Sequence, residues 1–221
     1  PAAINSLNPE TGAVYWSQPF ARGKAKEINV GLAVSMPRLD GDKLFVTAFY
    51  EGCILLKLNA TEKPTVVWRS NSRGEKPDVT DGLHSIMPTP FIKDGYIYGV
   101  CSYGELRCLD EKTGQRVWET HQATTGKSAR WGNAFLVRLA PGGNGKGLRD
   151  DRFVLFNERG DLILASLTPK GYTEISRANV LTPTNSMPGR PVIWSHPAFA
   201  NRCCYARNDR EIVCVSLAAE N

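Results

Sequence analysis

Nothing in this 221-residue sequence is apolar over a long enough run to cross a bilayer as a helix, which takes about 18 such residues in succession. No basic segment followed by an apolar stretch opens it, so it reads as a soluble chain already trimmed of any leader. Basic clusters are missing too. Lys and Arg number 27 against 22 Asp and Glu, and the net charge of +5 is scattered singly, so nucleic-acid binding is not indicated. Cys53, Cys101, Cys108, Cys203, Cys204 and Cys214 form no C-x-x-C pair and have no histidine nearby, which argues against structural zinc and leaves no metal site expected. Most of them lie in apolar alternating runs, where buried free thiols are common. There is no G-x-S-x-G nucleophile turn. The glycine-rich stretch 141–147 lacks the helix that a phosphate cradle requires. It reads as a loop, as does the polar stretch from Arg69 to Asp81. Helical periodicity is absent throughout.

What the sequence has is turns and a repeat. Twenty Gly and 14 Pro accompany 42% apolar and 22% charged residues, the composition of a turn-rich β chain. The segment Leu7-Asn8-Pro9-Glu10-Thr11-Gly12-Ala13-Val14-Tyr15-Trp16 recurs as Leu109-Asp110-Glu111-Lys112-Thr113-Gly114-Gln115-Arg116-Val117-Trp118. A worn copy runs from Leu58-Asn59 to Trp68, so the three leucines stand 51 residues apart, and Leu167 and Leu217 continue the period without the Trp. Between Met87 and Trp118, four short β-rich runs alternate with turn signals at 93–95, 102–105 and 111–114. A four-stranded meander cannot cover both of its faces alone. Copies must stack, and such a repeat of about 40–50 residues is the sequence signature of a β-propeller blade.

The order of strand, L-[DN]-x-x-T-G turn, strand and Trp resembles the blades of the pyrroloquinoline-quinone-like propellers. That family embraces quinoprotein alcohol dehydrogenases and the propeller lipoprotein of the bacterial outer-membrane barrel-assembly machinery. The stretch from Trp194 to Asp209 also resembles uncharacterised planctomycete-type members. The resemblance implies an all-β propeller in which Trp16, Trp68 and Trp118 each dock on the turn of the adjoining blade, with Gly12 and Gly114 in those turns, and each Trp should be largely buried. The expected division is third and fourth strands in 1–20, blades in 33–72, 84–122 and 131–182, and a last blade in 189–221 lacking its fourth strand.

Innermost strands are expected near Met36, Pro90, Phe135 and Ile193, four in all, against five third strands. Residues Ala13 to Trp16 are then able to complete the last blade. Four blades are nevertheless few for a family that resembles seven- or eight-bladed rings. The expectation is therefore that the partner of this segment is the N-terminal half of the same ring, and that residues 1–221 alone self-associate.

Several residues suggest sites. His84, Arg130, Trp131, Asn133 and His196 stand at or just before innermost strands, where a propeller has its channel mouth, and together would suit an anionic or aromatic ligand. A strand-start His or Arg also serves simply to bond loop carbonyls. His121 is expected at the surface. Cys203-Cys204 matches the vicinal disulfide that quinoproteins place beside their cofactor, but strand alternation turns neighbouring side chains to opposite faces. A register pairing Ala206 with Glu211 would instead set Cys203 opposite Cys214. The family's calcium ion takes a Glu, an Asn and an Asp, for which Asn133, Asn157, Glu158 and Asp161 are available. The run Asn157-Glu158-Arg159-Gly160-Asp161 reads more simply as a hairpin turn.

With clear blade motifs and no legible catalytic set, the expected function is a non-catalytic, extracytoplasmic protein-binding scaffold without a cofactor, periplasmic and in a membrane-associated complex as in its relatives. The alternatives are a quinone- and calcium-dependent oxidoreductase and a small-ligand or glycan binder.

Overall fold

A computed structural model describes residues 3–20, 33–60, 62–71, 74–139, 151–187 and 189–218. The glycine-rich stretch 141–147, part of the 69–81 loop and the last three residues lie outside them. The chain divides into two compact units, 1–103 with 107–119 and 104–106 with 120–221. Every regular element among the described residues is a β-strand.

The first unit opens with a hairpin of β1 (Ala3–Leu7) and β2 (Val14–Pro19). Two antiparallel meanders follow. One comprises β3 (Arg38–Asp40), β4 (Lys43–Ala48), β5 (Gly52–Asn59) and β6 (Glu62–Arg69); the other comprises β7 (Phe91–Lys93), β8 (Tyr96–Val100), β9 (Leu106–Asp110) and β10 (Arg116–Thr120). The second unit holds a third meander of β11 (Ala134–Arg138), β12 (Arg152–Asn157), β13 (Asp161–Thr168) and β14 (Gly171–Asn179). It continues with a small hairpin of β15 (Asn185–Met187) and β16 (Arg190–Val192), then a three-stranded sheet of β17 (Ala198–Ala200), β18 (Cys203–Arg207) and β19 (Ile212–Ser216). The β15–β16 hairpin corrects one expectation. Ile193 lies just after it, and the first strand of the last sheet starts five residues later at Ala198.

Position in the meander sets burial. In β5, Cys53, Ile54, Leu55 and Leu56 are all buried because both faces of the middle strands are covered, whereas the outer strand β6 leaves Val66 and Val67 exposed. Phe45, Leu55, Leu83, Ile92, Ile97 and Leu109 form one core, with Trp68 packed against it, and Phe20, Val46, Ile54 and Leu56 form a second. Burial pushes the Cys53 thiol up to about 12 and that of Cys204 to about 11, so neither supplies a reactive thiolate at neutral pH.

The repeated motif folds the same way twice. Asn8 Oδ1 accepts from the backbone N–H of Glu10 and Thr11, and Gly12 N–H bonds the Asn8 carbonyl at 2.9 Å. Asp110 Oδ1 accepts from the N–H and the hydroxyl of Thr113, and Gly114 N–H bonds the Asp110 carbonyl at 2.8 Å. Both glycines sit at φ +73°, where a side chain is disfavoured. Trp68 lies directly over Gly114 and donates Nε1–H to the Glu111 carbonyl at 2.6 Å. Nothing comparable covers Gly12 among the described residues. Trp16 is buried at 8% exposure, while Trp68 and Trp118 are half-buried, the latter packed on Tyr98.

Candidate functional site

The sequence-nominated residues fall into two places. In the first unit His84 is wholly buried. Its Nδ1 lies 3.0 Å from the Phe49 carbonyl and its ring packs over Gly52, where a Cβ would come within 3.2 Å of Nε2. The neighbouring Ser85 donates its hydroxyl to Val100 O, and Thr47 bonds both Leu83 O and Ser85 N. His84 thus braces the loop before β7 and has no open face to offer a ligand.

Burial pulls the pKa of His84 below 6.5; the Phe49 carbonyl opposes the shift and the Arg107 charge adds to it. The unfolded chain therefore binds this proton more tightly than the folded one. Stability is full above about pH 6.5 and falls as the pH drops below it, at up to about 1.4 kcal/mol per pH unit, until the depressed folded pKa is reached. His196, whose pKa burial also lowers, contributes in the same direction. Urea midpoints measured between pH 5 and 7.5 are expected to fall on acidification in the parent and to fall less in His84→Asn. An equal slope in both proteins would show that His84 is not the titrating group.

The other candidates gather in the second unit. The turn entering β11 is closed by a bond from Gly132 N–H to Ala129 O at 2.8 Å. It holds Trp131 at φ +64°, a region costly for an aromatic residue and characteristic of functional corners. The Arg130 guanidinium stacks on the Trp131 ring at 4.6 Å, and the Trp194 ring meets Trp131 edge-on at 6.4 Å. Beneath this ledge Glu158 is buried. Its carboxylate accepts from Arg190 Nε at 2.5 Å and from Trp194 Nε1 at 3.2 Å, while Arg190 also reaches the Arg130 carbonyl at 2.8 Å. Asn133 is fully buried and neither atom of its carboxamide has a hydrogen-bond partner; the Trp131 indole N–H is also unpaired. His196 is exposed and its ring rests on Phe135 at 3.9 Å. A cavity of about 210 Å³ opens beside Trp194, with Ser195, Arg207 and Asp209 in its wall.

The sequence offered Glu158 only as an available calcium ligand and Trp194 only as the start of a family-like stretch, and Arg190 was not singled out at all. Glu158 is hidden in a run that reads as a turn and is one: Asn157 Oδ1 accepts from the N–H of Arg159 and Asp161. Arg190 stands in the unforeseen β15–β16 hairpin. The cysteine register also differs from expectation. Asn208 Oδ1 caps the N–H of Arg210 and Glu211 and so shapes the turn, and the strands pair Ala206 with Val213, Tyr205 with Cys214 and Cys203 with Ser216. All six cysteines are free, with Cys203 and Cys214 diagonal neighbours on one face and Cys204 buried on the other. His121 is half-buried beside Glu105.

Comparison with known proteins bears on this set of four-stranded antiparallel sheets. The family model of the outer membrane protein assembly factor BamB matches residues 2–120. The chain belongs to this family. A solved relative in fold is the crystal structure of BamB from Moraxella catarrhalis, 18% identical, with a TM-score of 0.55. The match covers 96% of this chain and 51% of that one, so this BamB-family chain spans about half the length of that structure. No curated protein matches the sequence. No helix among the described residues is long and apolar enough to cross a membrane.

Calcium, which other propellers of this kind hold beside a quinone, needs several free oxygen ligands; of the four side chains named for it, three are already engaged and the Asn133 carboxamide is not. Asp161 accepts from Asn157, Arg177 and Asn179; although burial opposes it, these bonds hold its carboxyl below the usual range. Asn157 is spent on its turn and Glu158 on Arg190 and Trp194.

Proposed function

We propose that this BamB-family chain is a non-catalytic scaffold acting outside the cytoplasm, which binds a protein partner through the loops entering its inner strands. The observation that carries this reading is the ledge of Arg130, Trp131 and Trp194, held on a strained turn above the buried Glu158–Arg190 pair. Tryptophan and arginine on a rigid support are the residue types that dominate protein–protein hot spots. The orphaned Asn133 carboxamide and Trp131 N–H add polar groups whose pairing a partner would complete. Glu158, the buried carboxylate under the ledge, is ion-paired to Arg190 and serves to hold the ledge.

Trp131→Ala is expected to weaken retention of the partner at least about tenfold, a hot-spot-sized loss. Its unfolding midpoint is expected to stay near the parent value, because alanine keeps the same left-handed backbone and the ring it removes is only half-buried. Asn133→Leu, which buries no unpaired amide, should behave in the same way. Affinity is read by quantitative co-purification with the assembled complex, and stability by thermal melting. Full retention by both variants would remove the ledge from the interface, and a fall in both midpoints would make it structural.

A further inference from the structure

Three segments of the second unit close around the cavity of about 210 Å³ beside Trp194. Each is fixed by its own bonds. Thr184, just before β15, accepts through its hydroxyl from Asp209 N–H at 3.1 Å. After β16, Ile193 N–H bonds Glu158 O at 2.7 Å, Trp194 Nε1–H bonds the Glu158 carboxylate, and the Ser195 hydroxyl donates to Arg207 O at 2.6 Å. In the β18–β19 turn the buried Asn208 donates Nδ2–H to Thr182 O at 2.9 Å, while its Oδ1 caps the turn. The walls are therefore set before any ligand arrives, which lowers the ordering cost of binding.

Two charges of opposite sign line this cavity, Arg207 and Asp209. Among the described residues neither is ion-paired. The Arg207 guanidinium donates only to the Asn208 carbonyl, at 3.5 Å, and the Asp209 carboxylate accepts only from the Thr184 hydroxyl, at the same distance. Bonds that long are weak. The indole of Trp194, anchored by its N–H on Glu158, adds an apolar surface. The volume lies below the roughly 300–1,000 Å³ of clefts for drug-sized ligands and suits a molecule of amino-acid size. An anion alone would meet Asp209 and a cation alone would meet Arg207, whereas one small molecule with both charges and an apolar body satisfies all three walls.

We propose that this cavity binds a free α-amino acid with a large apolar side chain, its carboxylate on the Arg207 guanidinium, its ammonium on the Asp209 carboxylate and its side chain against Trp194. Each ionic contact is a charge-assisted hydrogen bond, roughly twice as strong as a neutral one. The terminal residue of a peptide carries only one of the two charges on its backbone, so the site distinguishes the free molecule from a chain end. The inference goes beyond the protein-binding reading and does not depend on it.

The test titrates the whole chain calorimetrically with phenylalanine, phenylalanine amide and N-acetylphenylalanine. Saturable binding of phenylalanine is expected, weakened at least about tenfold by amidation, which removes the negative charge, and by acetylation, which removes the positive one. Arg207→Gln should weaken phenylalanine to a similar extent and bind the amide no worse than the free acid. Asp209→Asn should do the same with the acetylated compound. Both side chains are exposed, so both variants are expected to melt at the parent temperature and to retain the partner at the ledge as the parent does.

Equal binding of phenylalanine and both blocked forms would overturn the proposal, as would absence of binding by phenylalanine, leucine and tryptophan at millimolar concentration. Saturable binding of glucose in their place would give the cavity to a saccharide. Loss of partner retention in both variants without amino-acid binding would make the cavity part of the protein interface instead. Loss of partner retention in Trp131→Ala, with no amino acid bound by the parent, would uphold the ledge and sink only this site.

Discussion

Gly160→Ala is expected to unfold the second unit at a markedly lower temperature than the parent. Gly160 holds φ +81° in the turn between β12 and β13, bonded through its N–H to Asn157 O and through its carbonyl to Val180 N–H. A methyl group there would lie 1.7 Å from the Leu181 carbonyl oxygen and 3.2 Å from Ile193. Backbone cannot yield as the tip of a side chain can, and the left-handed conformation itself adds about 1 kcal/mol. The combined loss should exceed about 4 kcal/mol, in the range reserved for overpacking with strain. Thermal melting followed by circular dichroism should show a transition at least about 8 °C earlier. An unchanged midpoint would mean that the turn does not press on Leu181 in this way.

The second large effect is expected at the repeated motif. Trp68→Ala removes a half-buried indole from Gly114 and from the core around Phe45, whose ring lies 5.9 Å away. It also removes the bond to Glu111 O. About 3 kcal/mol is expected, at the lower end for tryptophan truncation because the ring is not wholly buried. Trp68→Phe should lose roughly 1–2 kcal/mol, chiefly the hydrogen bond. Gly114→Ala places a methyl 2.6 Å from the same ring at φ +73° and should cost a comparable amount. Since both variants disturb one contact, their effects should combine to less than their sum. Strict additivity in denaturant titrations would show that Trp68 and Gly114 contribute independently. Gly12→Ala, with nothing within 4 Å of its added methyl, should show only the milder backbone cost.

The all-β class and the four-stranded grouping were legible because the signal is local and repeated: Leu, Asx, Thr-Gly and Trp at a fixed spacing, each with a reason in turn geometry. The Asp110 carboxylate, held below its usual pKa by its bond from Thr113 despite slight burial, is one such reason. The β15–β16 hairpin was not legible, since its strands are three residues each and break the repeat. The register of β18 on β19 failed for a related cause. Alternation locates strands but not loop length, and the Asn208-capped turn sets two more residues between Ala206 and its partner than expected, which shifts every pair by two. The ledge was half visible. Arg130 and Trp131 were marked by position, whereas their support comes from Glu158 and Arg190, which are 32 residues apart and share no sequence pattern. Conversely, His84 looked like a rim residue because strand starts face a channel, yet the loop folds over it and its ring serves the Phe49 carbonyl.

The central claim is that this chain works by binding protein at the Arg130–Trp131–Trp194 ledge. A photoreactive phenylalanine analogue placed at Trp131 or at Trp194, with the same group at exposed Val66 and Val117 as outer-strand controls, tests it most directly in the host cell. The expected result is an adduct from both ledge positions to the same protein and none from the controls. Uniform adducts from all four positions, or none from the ledge in a protein that oxidises alcohols with an artificial acceptor once quinone and calcium are supplied, would contradict it.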